Sequence, residues 1–186
     1  MTQDIAQPAT NSETGRFGRT FLGVISILTF AMLIGGVYMA TSYEKGDGLT
    51  TYEREAIAVV AMQNEISDGW NNTVDEFNAS TITTNQEHLL VYSISQKSVR
   101  ILITDSQAVI NRWKAIDVPE EHVASHQLAL DALMATQDGL ILFDVFFQDS
   151  IDTLVADQIR SDEAAAKLVY ARELWDRAAE VAATEG

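Results

Sequence analysis

Phe21–Tyr43 reads FLGVISILTFAMLIGGVYMATSY, 23 positions without a charged side chain. As a helix it would rise about 35 Å at roughly 1.5 Å per residue, enough to cross a hydrocarbon core of about 30 Å. This run divides the chain. Residues 1–19 form a polar tail, 20–43 an expected transmembrane helix, 44–50 a linker with Gly46 and Gly48, and 51–186 one acidic, helix-patterned domain. The expected fold class is all-α, with one N-terminal transmembrane helix followed by an extracytoplasmic antiparallel four-helix bundle.

Arg16 and Arg19 lie just before the apolar run and only Lys45 lies close after it. That basic bias predicts a cytoplasmic N-terminus and a periplasmic or extracellular domain, since positive residues stay inside. A cleaved signal peptide would have an apolar core of about 7–15 residues and a small-x-small cleavage site. The run here is longer, and Tyr38 spoils the site that Ala40 would offer, so an uncleaved signal anchor is expected. Ala31 and Gly35, and Gly36 and Ala40, stand four apart. Small residues at that spacing form a strip where a second transmembrane helix can approach.

All of the formal net charge of −15 falls after the apolar run. Such a surface does not bind nucleic acid through its phosphates. The absence of cysteine removes disulfides, thiolate zinc sites and iron–sulfur ligation. Two prolines and ten glycines leave few breakers, which favours long helices.

Apolar residues at steps of three and four predict the first helix over about 51–77, with Val59, Met62, Ile66, Trp70, Val74 and Phe77 inward. Thr50 or Thr51 would cap it, with Glu53 or Glu55 nearby. A second helix is expected over about 86–116, its stripe made of Val91, Ile94, Ile101, Leu102, Ala108, Val109, Trp113 and Ile116. Ser98–Asp105 resembles a short strand, but no partner strand is evident and its flanks are helical. Pro119, Glu120 and Glu121 suit the start of a third helix, running to about 148 with Val123, Leu130, Leu133, Leu140 and Phe147 inward. The stretch 151–159 would extend it or form a short connecting helix. Ser161 would cap a fourth helix with Leu168, Ala171, Trp175, Ala178 and Ala182 inward, its alanines permitting close packing.

Chemistry-bearing patterns are few. His122 and His126 stand at i and i+4, the spacing of a two-histidine metal face. A third ligand would have to come from Asp117, Glu53, Glu173 or Glu180, while His88 belongs to the opposite end of the bundle. No nucleophile elbow, phosphate loop or dinucleotide fingerprint occurs. No catalytic residue, cofactor or metal is assigned, His122 and His126 standing as the candidate metal ligands.

Gly139–Phe147, GLILFDVFF, is apolar nearly all round, whereas a bundle helix needs roughly three apolar positions in seven. Its excess would pack under the following connection or dock another protein, through Ile141, Leu142, Phe143, Phe146 and Phe147. The expected role is a non-catalytic accessory or scaffold subunit of a larger membrane complex, a respiratory or photosynthetic assembly being a reasonable host. Its expected partners are other membrane-protein subunits and membrane lipid, with no nucleic acid. The alternatives are a ligand-sensing bundle or a metal- or haem-binding one.

Overall fold

The structure, a computed structural model, describes residues 49–185. The tail, the apolar run with Ala31, Gly35, Gly36 and Ala40, and most of the linker lie outside the described residues. Four helices follow one another: α1 Thr51–Ala79, α2 Asn85–Lys114, α3 Val123–Thr153 and α4 Gln158–Glu185, with a 3₁₀ turn at Glu120–His122 leading into α3. No strand is present among the described residues, and Ser98–Asp105 is helical. No helix among the described residues is long and apolar enough to cross a membrane.

Local chemistry sets most of the helix starts. The Thr50 hydroxyl accepts from the Glu53 N–H at 3.2 Å, and the Glu53 carboxylate accepts from the Thr50 N–H at 2.7 Å. Thr84 and Glu87 repeat this capping box on α2. α4 starts three residues before the expected Ser161, which lies buried inside the helix. Asp157 takes the capping role, its carboxylate accepting from the N–H groups of Ile159 and Arg160 at 3.0 and 3.4 Å. α3 extends through Thr153 and ends at Leu154 in the left-handed region, φ 58°. The stretch 151–159 therefore divides between the two helices around a four-residue turn. Arg160 bridges that turn, 2.6 Å from Asp149 and 3.5 Å from Asp157.

Consecutive helices pack antiparallel. Glu55 meets Arg112 across α1 and α2, while Phe77 meets Tyr92 at their other ends. Arg100–Asp144 and Gln107–Gln137 join α2 to α3. α3 and α4 approach closest. A Cβ built on Gly139 would fall 2.6 Å from Leu168 Cδ2, and Ala132, Ala135, Ala164, Ala165, Ala171 and Ala178 are all buried. Side chains of α1 reach across to α3: the Trp70 and Phe143 rings lie 4.4 Å apart, and Phe77 and Phe147 lie 5.8 Å apart.

Two expected core faces are corrected. On α2, Ile94, Ile101 and Ala108 are exposed, and the inward face is Tyr92, Ser95, Gln96, Val99, Leu102, Ser106, Val109, Ile110 and Trp113. Three of those nine are polar. Gln96 is held by donating from Nε2 to Asp144 O at 3.3 Å and Gln148 Oε1 at 3.1 Å, and Ser106 by donating to Ile103 O at 2.9 Å. The core thus accepts polar residues whose hydrogen bonds are satisfied; Leu102, Val109 and Trp113 are buried as expected and Ile116 packs against the core, while Ile94, Ile101 and Ala108 belong to another face. On α3, Leu133, Leu140 and Phe147 are buried as expected and Leu130 packs against the core, but Val123 is exposed, the inward positions of the first turn falling to Ser125 and His126.

Candidate functional site

The end of the bundle where residue 49 enters gathers aromatic and titratable groups from all four helices. Tyr52 starts α1, Trp113 is near the end of α2, His122 and His126 begin α3, and Glu185 closes α4. The rings stack in series. Trp113 lies 4.4 Å from His126 at an interplanar angle of 10°, and Tyr52 lies 4.8 Å from His122 at 9°. Tyr52 and His126 are 5.9 Å apart and tilted, which links the two pairs. Trp113 Nε1 also donates to His126 O at 3.0 Å, so the indole fixes the first turn of α3 twice.

The two histidines share a face, as their spacing predicts, but each ring is committed to a different aromatic. Burial holds the His126 pKa below its usual value near 6.5, because a charged imidazole would lose its hydration there. Its ring is therefore neutral at pH 7, and Nδ1 is buried with no hydrogen-bond partner. His122 Nδ1 stands 3.6 Å from Glu185 Oε2, within ion-pair reach but beyond a good hydrogen bond. Glu185 Oε1 accepts from the Ser125 N–H at 3.3 Å, so the last carboxylate of α4 caps the first turn of α3. None of Asp117, Glu53, Glu173 and Glu180 is the carboxylate that meets His122; Glu185 is. Among the described residues no three His, Asp or Glu side chains gather as a metal ligand set. His88 lies at the other end, as expected, stacked on Tyr92 and hydrogen-bonded to Ser150 O at 2.9 Å.

Beside the ring stack opens a half-enclosed cleft of about 520 Å³, lined by Thr50, Tyr52, Glu55, Arg112, Asp117 and Pro119 among others. Arg112 crosses its wall, 3.0 Å from Glu55. Deeper in the bundle, Gln63 Oε1, Trp70 Nε1 and Trp175 Nε1 are buried without hydrogen-bond partners. Trp70, Trp113 and Trp175 all belong to the core, and Trp70 and Trp175 leave their indole N–H groups unsatisfied there.

The apolar run Gly139–Phe147 resolves into two parts. Phe143, Phe146 and Phe147 are 1, 0 and 4% exposed. They are core residues of this chain and cannot dock a second protein. α3 packs against α2 and α4, and its Phe143 and Phe147 rings meet α1 across the core. That consumes the excess apolarity. Leu142 is half-buried and lines a shallow cleft of about 460 Å³ with Lys167 and Tyr170 of α4. Ile141 remains exposed, in one outward row with Met134 and Val145. A second outward row, Leu90, Ile94 and Ile101 on α2, is masked in the sequence when Ile94 and Ile101 are assigned to the core. The seven-residue separation of the isoleucines, with Leu90 four before Ile94, is the signal that marks a separate face.

No protein-family model, curated protein or solved structure matches the chain.

Proposed function

We propose that the protein is a non-catalytic accessory or scaffold subunit of a larger membrane assembly. Phe21–Tyr43 anchors it, the N-terminus is cytoplasmic, and the helical domain docks neighbouring subunits outside. The observation that carries this reading is the exposed row Met134, Ile141 and Val145 on a helix already engaged on its other sides. Each is about two-fifths exposed, so covering what remains contributes roughly 0.6–1.2 kcal/mol per side chain, and the three act together as one anchor of an interface. In the membrane, Ala31, Gly35, Gly36 and Ala40 supply the matching strip for helix packing.

The test is co-purification after detergent extraction. The wild-type chain should bring stoichiometric membrane subunits with it. Ile141→Asp with Val145→Asp should lose those held by the domain, and Gly35→Leu those held in the membrane. Unaltered partner recovery in both variants refutes the reading, as does a wild-type chain that purifies free of other proteins. Protease added to spheroplasts should digest the domain; complete protection refutes the orientation.

A ligand-sensing bundle is the second reading. It is favoured by the unsatisfied Gln63, Trp70 and Trp175 groups inside the core and by the cleft beside Tyr52. A small polar ligand that raises Tm in proportion to the logarithm of its concentration supports it.

A further inference from the structure

α2 presents two faces. Its core face runs through Tyr92, Val99, Ser106 and Trp113. Directly opposite, Glu87, Leu90, Ile94, Lys97, Ile101, Thr104, Ala108 and Asn111 follow one another at alternating steps of three and four. That is the seam spacing of a two-helix coiled coil. Leu90, Ile94 and Ile101 on this row are 60, 51 and 54% exposed, so nothing among the described residues covers them.

We propose that this row is a homodimer seam, in which two copies pack their α2 helices in parallel and in register. Three observations commit the face to a second copy. Isoleucine at 94 and 101, with leucine at 90, places Ile at the a positions and Leu at a d position, the distribution that favours two parallel strands. Arg100 and Asp105 flank the seam on opposite sides, five residues apart, so each Arg100 reaches the second copy's Asp105 in a parallel pair. The Arg100 side chain is 56% exposed while bonded to Asp144, which leaves room for a second carboxylate. Charge also selects this helix. α2 carries four basic residues against two acidic ones, whereas α1, α3 and α4 each carry an acidic excess. Two copies of an acidic chain therefore meet at α2 with the least mutual repulsion.

The row from Glu87 to Ala108 is about 32 Å long, and half the surface of a cylinder about 10 Å across over that length is on the order of 500 Å². Two copies bury on the order of 1,000 Å², the lower edge of a specific interface. Confinement to one membrane raises the effective concentration and makes such a seam sufficient. Parallel pairing is also the arrangement that two chains entering from one membrane can adopt, and to that extent the geometry rests on the proposed anchoring.

The chain has no cysteine, which makes cross-linking decisive. Ile94→Cys and Ile101→Cys, introduced singly into the full chain in liposomes, should each give a disulfide-linked homodimer on mild oxidation. Tyr170→Cys on α4, also exposed, should not. An antiparallel α2 pair would cross-link through at most one of the two single variants, or only when the two are mixed, and either result overturns the parallel register. Ile94→Asp with Ile101→Asp should shift the detergent-solubilised chain from dimer to monomer by light scattering, with helicity by circular dichroism unchanged. A monomeric wild type, equal cross-linking of the Tyr170→Cys chain, or disulfide capture of a different protein by the Ile94→Cys chain overturns the proposal. Ile141→Asp with Val145→Asp should leave the homodimer intact, so loss of other subunits and loss of the homodimer are separable.

Discussion

Gly139 and Gly69 receive the same substitution, and the structure predicts opposite outcomes. A Cβ on Gly139 would stand 2.6 Å from Leu168 Cδ2 and 2.7 Å from Cγ, with Ala164 O at 3.4 Å. Turning the isopropyl end of Leu168 moves Cδ2 but leaves Cγ in place. Relief therefore requires Leu168 Cγ and the new Cβ to move apart by about 0.7 Å where α3 meets α4, the gap between 2.7 and 3.4 Å. Overpacking of that kind costs about 1–3 kcal/mol, against a helix-propensity gain of about 1 kcal/mol for Gly→Ala. Gly139→Ala should thus lose about 0–2 kcal/mol net, roughly 1 kcal/mol at the middle of the range, at roughly 4 °C in Tm per kcal/mol. At Gly69 only Leu102 Cδ2 is close, at 2.7 Å, while Cγ is 3.9 Å away. One methyl can turn aside, so Gly69→Ala should keep about half of the propensity gain, about 0.5 kcal/mol. Urea unfolding followed by circular dichroism measures both, with the m value checking that the same surface is exposed. Gly139→Ala with Leu168→Ala should be less destabilised than the two single changes added together, because the second removes the clash of the first. A Gly139→Ala chain more stable than wild type, or an equal change at Gly69→Ala, refutes the close α3–α4 packing.

His126 has a folded pKa depressed by burial, so the unfolded chain takes up the proton first; its neutral form stabilises the fold above about pH 6.5, and that contribution is lost as pH falls below it. His126→Phe, which keeps a ring against Trp113, should flatten this part of the stability–pH curve, and an unchanged slope in urea titrations at stepped pH refutes the assignment. Thr50→Ala and Thr84→Ala should each cost about 1 kcal/mol by removing one capping box, measured by thermal unfolding. Gln63→Leu should raise stability by about 1 kcal/mol in the same assay, because it replaces a buried amide whose oxygen has no partner.

Much of the helical architecture was readable from local chemistry. Pro119 before Glu120 and Glu121, Thr50 before Glu53, and apolar steps of three and four located the helices to within a few residues, because caps and periodicity act within one or two turns. The opposite placement of His88 relative to His122 and His126 followed from helix lengths and antiparallel order alone. The side to which each apolar residue turns was decided only by the tertiary structure. α2 carries apolar residues on both faces, and the face with Ser95, Gln96 and Ser106 went inward because α3 supplies acceptors for Gln96 and the small serines permit close packing. Phe143, Phe146 and Phe147 look like an excess on a single helix, yet all three are buried, against Trp70 and Phe77 of α1 and Tyr92 of α2. Glu185 reached Ser125 and His122 from sixty or more residues away, a distance no local pattern encodes. Hydrophobic spacing reports that a face is apolar; what covers that face depends on the shape and hydrogen-bonding capacity of the neighbour across from it.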